Sequence, residues 1–197
     1  KETVITDHQL SFYAATKKST ENMAHSYAHL FALPITMLRF FTVYGPWGRP
    51  DMALFKFTKA ILNSDPIDIY NNGEMRRDFT YINDVVEAIN ALIDIIPPNN
   101  CDSSIKIIGD SKSPVAPFRS INIGNSRPAK LTDFILAIEA SLDVTAKKNL
   151  MPMQQGDVPE TWADTQLLTT LTGYTPDTTI SDGVRNFIRW YRSYYNN

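Results

Sequence analysis

Residues 11–50 have the sequence SFYAATKKSTENMAHSYAHLFALPITMLRFFTVYGPWGRP, which predicts a helix, a strand and a loop in immediate succession. Ser11 is a suitable N-cap, and we expect the helix to run to about Phe31. Large apolar residues dominate residues 35–41, so a buried strand should follow. Glycine and proline punctuate residues 42–50, which predicts a loop directly after that strand. This succession is typical of an α/β fold.

The remainder of the chain continues the alternation of helices and strands. We expect five further helices, at residues 53–63, 83 or 84 to 96, 132–142, 165–172, and 179 or 181 to 194. We expect further strands at residues 67–70, 78–82, 118–123 and 149–153. Thr132 is the expected N-cap of its helix. Asn71-Asn72-Gly73 signals a turn, and the polar, proline-containing residues 97–117 predict a surface loop. The sequence therefore predicts an α/β protein with a smaller mixed lobe after residue 50.

Composition excludes several classes of partner. At 197 residues, with 43% hydrophobic and 20% charged residues and a net charge of −2, the chain resembles an ordinary soluble protein rather than a binder of nucleic acid or of a membrane surface. Its apolar runs are too short to cross a bilayer, and no signal peptide is recognised. The single cysteine, Cys101, indicates a reducing compartment, so we expect a cytoplasmic protein. Three scattered histidines and one cysteine predict no metal site.

Tyr13 and Lys17 form the most informative pair in the chain. Their spacing of four residues places both side chains on one face of the expected helix, one turn apart. An ammonium group beside a phenol favours the phenolate, which makes the pair a candidate acid/base catalyst. The same spacing also arises by chance in surface helices, where the lysine would simply be solvated.

Several short motifs occur in order along the chain: residues 11–18 SFYAATKK, 38–53 LRFFTVYGPWGRPDMA, 77–82 RDFTYI, 156–158 GDV, 161–164 TWAD and 190–192 WYR. Together they resemble the extended short-chain dehydrogenase/reductase superfamily. Within it, the loop at residues 42–50 is most similar to that of the UDP-glucuronate 4-epimerases. The resemblance covers nearly the whole chain apart from residues 97–117.

The resemblance implies a Rossmann-type doubly wound sheet that holds NAD and a smaller mixed α/β lobe that holds a UDP-sugar. Residues 1–50 would be the remainder of the NAD-binding domain, and residues 51–197 mainly the UDP-sugar lobe, with some segments returning to the Rossmann domain. The family's glycine-rich nucleotide turn should lie further upstream, since no glycine precedes Gly45. We therefore expect the chain to be the C-terminal part of an epimerase, and to be inactive by itself.

The resemblance also implies an activity, the conversion of UDP-glucuronate to UDP-galacturonate through a 4-keto sugar. Tyr13 would be the catalytic base, and Lys17 would hold the nicotinamide ribose and favour the Tyr13 phenolate. Val43 and Tyr44 would complete the cofactor contacts on the nicotinamide side.

Two further residues are expected at the sugar. Thr42 follows a buried strand, at the end where α/β folds place ligand crevices, and by family position it should touch the sugar. A hydroxyl that merely caps the loop is the alternative. Arg49 would select a sugar acid, because a guanidinium fork matches a carboxylate bidentately. The alternative is a surface arginine in a Gly/Pro loop.

Three residues are expected at the nucleotide. Arg77 should meet the pyrophosphate, unless it forms an ion pair with Asp78. Asp157 should accept hydrogen bonds from the uridine ribose, unless it only stabilises a turn. Gln154 stands where many relatives of the resembled family carry an arginine that binds the phosphates. Arg77 would therefore provide more of the charge that binds them.

Two other functions remain open. Another nucleotide-sugar enzyme of the superfamily, a 4,6-dehydratase or a UDP-glucuronate decarboxylase, would share these motifs, although Arg49 and the adjoining loop favour the epimerase. A non-catalytic UDP-sugar-binding or dimerisation module is the alternative from another class. By resemblance, the helix that carries Tyr13 would pack against its copy in a homodimer.

Overall fold

The computed structural model describes residue 2, residues 8–99, residue 107, residues 109–154 and residues 157–196; Cys101 and Gly156 lie outside these ranges. The helices are α1 Phe12–Phe31, α2 Ala53–Leu62, α3 Ile82–Leu92, α4 Leu131–Leu142, α5 Gln166–Thr172 and α6 Ile180–Tyr195. The strands are β1 Ile35–Phe40, β2 Thr42–Tyr44, β3 Ile67–Ile69, β4 Arg76–Arg77, β5 Phe79–Tyr81, β6 Phe118–Ile123, β7 Ala129–Lys130 and β8 Lys148–Leu150. The predicted α/β class is confirmed.

The chain divides into two compact units. The first consists of Lys1–Phe40, Glu87–Ile123 and Ala163–Thr175. Within it, β1 pairs in parallel with β6, from Ile35 opposite Phe118 to Phe40 opposite Ile123. Every residue of β6 is buried, as expected of a strand covered on both faces. The helices α1 and α5 pack against this pair.

The second unit consists of Phe41–Val86, Gly124–Trp162 and Pro176–Asn197. Its strands form two parallel pairs, β2 with β5 and β3 with β8, and one antiparallel pair, β4 with β7. The buried faces of α2, α4 and α6 join these strands in one apolar core. At its centre Phe79 stacks on Phe134 with ring centroids 4.1 Å apart. Buried aromatic area of this kind supplies much of the stability of a small core.

Local signals predicted most element ends correctly. Ser11 caps α1 by accepting a hydrogen bond from the Ala14 N–H at 3.1 Å, and Thr179 caps α6 by accepting one from Asp182. The expected turn after β3 is also confirmed, with Asn71 and Asn72 both at a φ of 50°. These positions are decided by short-range hydrogen bonds, which sequence patterns record directly.

The expected bounds of several other elements were wrong, and for β2 the reason is tertiary. Residues 42–44, expected in a loop, form strand β2, because Thr42 donates its N–H to Asp78 O at 3.0 Å and the strand pairs with β5. Helix α3 begins at Ile82, directly after β5, and ends at Leu92 rather than at residue 96. Helix α4 is preceded by Lys130 in extended conformation, so Thr132 lies inside the helix instead of capping it.

Candidate active site

The candidate catalytic pair lies on the first turns of α1, in the first unit. Lys17 Nζ is 5.3 Å from the centroid of the Tyr13 ring, which confirms that both side chains occupy one helical face. The Tyr13 side chain is 70% exposed, so its hydroxyl is accessible to a ligand. The adjacent Lys18 pairs with Glu21 at 3.4 Å.

An ion pair attaches α1 to strand β1. Arg39 on β1 donates from Nε and Nη2 to the two carboxylate oxygens of Glu21 on α1, at 2.6 and 2.7 Å. Burial opposes ionisation of Glu21, but the hydrogen bonds and the charge of Arg39, with Lys18, outweigh it and hold the pKa of that carboxyl below its ordinary value. This bidentate contact fixes the helix that carries the candidate catalytic pair.

A cavity of about 520 Å³ lies in the second unit. It brings together three of the predicted substrate residues, Thr42, Arg77 and Asp157, which come from distant parts of the chain. Other polar side chains also line the cavity: Asp51, Lys56, Asp68 and Tyr70. The volume lies within the range of about 300–1,000 Å³ that is usual for small-molecule sites.

Arg77 and Asp157 are bonded to each other across this cavity wall. Arg77 donates from Nη2 to Asp157 Oδ1 at 2.8 Å and from Nη1 to the Arg76 carbonyl oxygen at 3.0 Å. Asp157 also accepts the N–H of Val158 at 2.8 Å. The two residues predicted for the pyrophosphate and the ribose are therefore neighbours, and each retains hydrogen-bonding capacity toward a ligand.

Asp78, the expected alternative partner of Arg77, is fully buried. Its carboxylate accepts the backbone N–H groups of Asn125 and Ser126 at 2.8 and 3.0 Å, and the hydroxyl of Thr80 at 3.2 Å. These bonds hold the loop after β6 against β5, next to Arg77. Asp78 thus attaches this loop to the segment that carries Arg77.

Arg49 lies in the loop between β2 and α2, with 75% of its side chain exposed. It donates from Nε and Nη2 to the two oxygens of Asp51 at 3.0 and 2.5 Å. The hydrogen bonds from Arg49 lower the pKa of the Asp51 carboxyl. The guanidinium thus forms a bidentate pair with a protein carboxylate at the surface of this loop. Its role toward a substrate stays a prediction.

The other predicted ligand contacts differ in their surroundings. Tyr44 is buried in the core of the second unit, and burial raises the pKa of its phenol strongly. Val43, Tyr44 and Arg49 line a small pocket of about 40 Å³ that also includes Thr42. Gln154 is exposed and is not among the described residues that line the larger cavity. The burial of the Tyr44 side chain does not support a contact of that side chain with a cofactor. The cofactor role of Tyr44 stays a prediction.

Lys56 was not identified as a site residue from the sequence. It lies on α2 between Phe55 and Phe57, which are both buried, so its exposed position follows from helical periodicity. That this side of α2 borders a cavity depends on the packing of distant segments, for which the sequence carries no local signal.

The part of the chain that the structure describes contains no helix long and apolar enough to cross a membrane. Within the same ranges, no three His, Cys, Asp or Glu side chains converge as a metal site requires.

Comparison of the chain with models of protein families agrees with the α/β arrangement and with the Tyr13–Lys17 pair on α1. The NAD dependent epimerase/dehydratase family matches residues 1–100. The chain belongs to this family. Protein CapI of Staphylococcus aureus is 56% identical over 189 residues, which cover 96% of this chain and 56% of CapI. A probable UDP-glucuronate 4-epimerase of Rhizobium meliloti (strain 1021) is 51% identical over 189 residues, with 96% of this chain and 55% of that protein covered.

A solved structure shows the same relationship. UDP-glucuronic acid 4-epimerase from Bacillus cereus, in complex with UDP-glucuronic acid and NAD, matches with a TM-score of 0.80 and 32% identity over 99% of this chain and 58% of that chain. The Rossmann-type α/β fold and the resemblance to this group of epimerases are therefore confirmed. This epimerase/dehydratase chain spans little more than half the length of the relatives that it matches.

Proposed function

We propose that the protein carrying this chain is an NAD-dependent epimerase that inverts the 4-position of a UDP-sugar and converts UDP-glucuronate to UDP-galacturonate. The observation that carries the proposal is the cavity of about 520 Å³ lined jointly by Thr42, Arg77 and Asp157. Relatives and a solved structure named as UDP-glucuronate 4-epimerases support the substrate class. Because the chain spans only 55% of one such relative, the activity is proposed for a protein of full family length.

We assign the chemistry of the reaction to Tyr13 and Lys17. The phenolate of Tyr13, stabilised by the ammonium group of Lys17, takes the proton of the sugar 4-hydroxyl and becomes the phenol. The exposed positions of both side chains and the 5.3 Å between Lys17 Nζ and the centroid of the Tyr13 ring fit a pair that receives a cofactor ribose and a sugar. NAD, when bound, supplies the hydride acceptor and donor. The residues of this chain that we propose to contact NAD are Tyr13, Lys17, Val43 and Tyr44.

We assign recognition of the UDP-sugar to the second unit. Arg77 pairs with the pyrophosphate, Asp157 accepts the ribose hydroxyls and Thr42 bonds the sugar. Arg49 releases the Asp51 carboxylate and binds the carboxylate of the sugar acid in its place. Both partners present the same bidentate group to the guanidinium.

The test is product analysis with UDP-glucuronate and NAD by proton NMR. The proposal expects UDP-galacturonate, with no net consumption of NAD. A UDP-pentose would identify a decarboxylase instead, and a 4-keto-6-deoxy sugar from a neutral hexose substrate would identify a 4,6-dehydratase. For residues 1–197 alone we expect UDP binding without turnover. UDP binding without turnover by the protein of full family length would favour the non-catalytic module.

A homodimer through α1 is proposed as the assembly. Four apolar side chains at helical spacing on α1 are each more than half exposed: Met23, Tyr27, Leu30 and Phe31. A contiguous exposed apolar face on one helix is typical of an interface.

A further inference from the structure

Lys56 occupies a distinctive position in the cavity of the second unit. It lies on α2, whose neighbouring residues Leu54, Phe55 and Phe57 are buried in the core. Lys56 and Arg77 are the two cationic side chains among the described residues that line the cavity. The rigid core packing of α2 therefore holds the base of a flexible ammonium side chain at the cavity wall.

The carboxylates that line the cavity already have other hydrogen-bond donors. Asp157 accepts from Arg77 at 2.8 Å, Asp51 accepts from Arg49 at 2.5 and 3.0 Å, and Asp68 accepts from Asn149 at 2.8 Å. Lys56 contributes to the lowered pKa of Asp51, after the larger effect of Arg49. Within the described ranges, however, it forms no ion pair within 4 Å. Its ammonium group has donors available for an added anion.

We propose that Lys56 binds the diphosphate of a nucleotide ligand, together with Arg77; this assignment rests on the proposed function. A diphosphate carries more than one negative charge, and two of the donors on Arg77 are already used by Asp157 and Arg76. Gln154 is neutral and lies outside the cavity lining. Lysine is a compact point charge suited to phosphate, whereas the bidentate fork of arginine suits a carboxylate.

The test compares Lys56→Gln with Lys59→Gln by calorimetry, using UDP and UDP-glucuronate. Lys59 is the matched control, since it is also exposed on α2 but does not line the cavity. We expect Lys56→Gln to weaken binding of both ligands roughly tenfold, as loss of one charge-assisted hydrogen bond predicts, and Lys59→Gln to change affinity less than about twofold.

Four outcomes would overturn the assignment. Equal effects of the two substitutions would show that only long-range charge is involved. A loss confined to UDP-glucuronate would assign Lys56 to the sugar carboxylate instead. Failure of the unsubstituted protein to bind UDP would contradict the proposed function and, with it, the assignment of Lys56. Normal UDP binding by both variants would contradict only the assignment of Lys56.

Discussion

Tyr13 and Lys17 are adjacent, exposed and in the first unit, whereas the cavity residues belong to the second. Removing the Tyr13 hydroxyl should therefore affect proton transfer without affecting nucleotide binding. In the protein of full family length, the proposed function predicts that Tyr13→Phe lowers turnover of UDP-glucuronate by about 10²- to 10⁴-fold, the usual contribution of a positioned acid/base group, with UDP affinity unchanged. Steady-state kinetics and calorimetry measure the two quantities. Tyr194→Phe, at an exposed tyrosine on α6, is the control, and equal turnover in both variants would contradict the assignment.

Arg49 provides a prediction about selectivity. Its bidentate contact with Asp51 has the geometry that a guanidinium also forms with a ligand carboxylate. We expect Arg49→Leu to reduce the preference for UDP-glucuronate over UDP-glucose by roughly 10- to 100-fold, because charge-assisted hydrogen bonds contribute about 1.5–3 kcal/mol. Competition binding measures the ratio. Arg185, an exposed arginine paired with Asp182 at 2.9 Å, gives the control Arg185→Leu. An unchanged preference in Arg49→Leu would remove Arg49 from substrate selection.

Helix α6 packs so closely on β2 that its Gly183 has no room for a side chain. A Cβ at residue 183 would lie 2.7 Å from Cζ and 2.8 Å from Cε2 of Tyr44, and closer still to its hydroxyl. Glycine to alanine in a helix usually stabilises by about 1 kcal/mol. Here we expect Gly183→Ala to destabilise by about 1–3 kcal/mol through overpacking.

Urea denaturation measures this effect. Adding Tyr44→Phe should relieve the nearest contact, so the double variant should be less destabilised than the sum of the two single variants. Strict additivity would show that Tyr44 and Gly183 are not coupled.

The contact between α1 and β1 predicts a dependence of stability on pH. The pKa of Glu21 lies below its ordinary value of 4.5 in the folded protein. The ion pair with Arg39 therefore contributes fully above the unfolded pKa, and its contribution is lost as the pH falls through the folded value. We expect Glu21→Gln to lower Tm at pH 7. The difference in Tm from the unsubstituted protein should shrink as the pH falls below about 4.5. The exposed Glu87 on α3 gives the control Glu87→Gln. A Tm difference for Glu21→Gln that is constant with pH would contradict the ion-pair contribution.

At the scale of the whole molecule, the exposed apolar face of α1 predicts self-association. We expect the protein to be a dimer by light scattering, and Leu30→Glu to make it a monomer, because a charge in a buried interface is strongly unfavourable. Leu136, an exposed leucine on α4, supplies the control Leu136→Glu, which should remain a dimer. Dimers that persist in Leu30→Glu at low protein concentration would place the interface elsewhere.

Short-range features of this protein were determined by the sequence alone. The Ser11 cap, the length of α1, the strand β1 and the adjacency of Tyr13 and Lys17 all depend on residues within a few positions of one another. Helical periodicity and capping hydrogen bonds translate such spacing directly into geometry. The ordered motifs also predicted the superfamily, and the epimerase/dehydratase family model matches residues 1–100.

Only the tertiary structure decided which distant residues meet. Strand β2 exists because Thr42 reaches β5, and Arg77 meets Asp157, 80 positions away in the chain. The burial of Tyr44 and the place of Lys56 at a cavity likewise depend on the packing of separate segments. Contacts of this range are selected by the competition among packed arrangements of the whole chain, and no local sequence pattern encodes that competition.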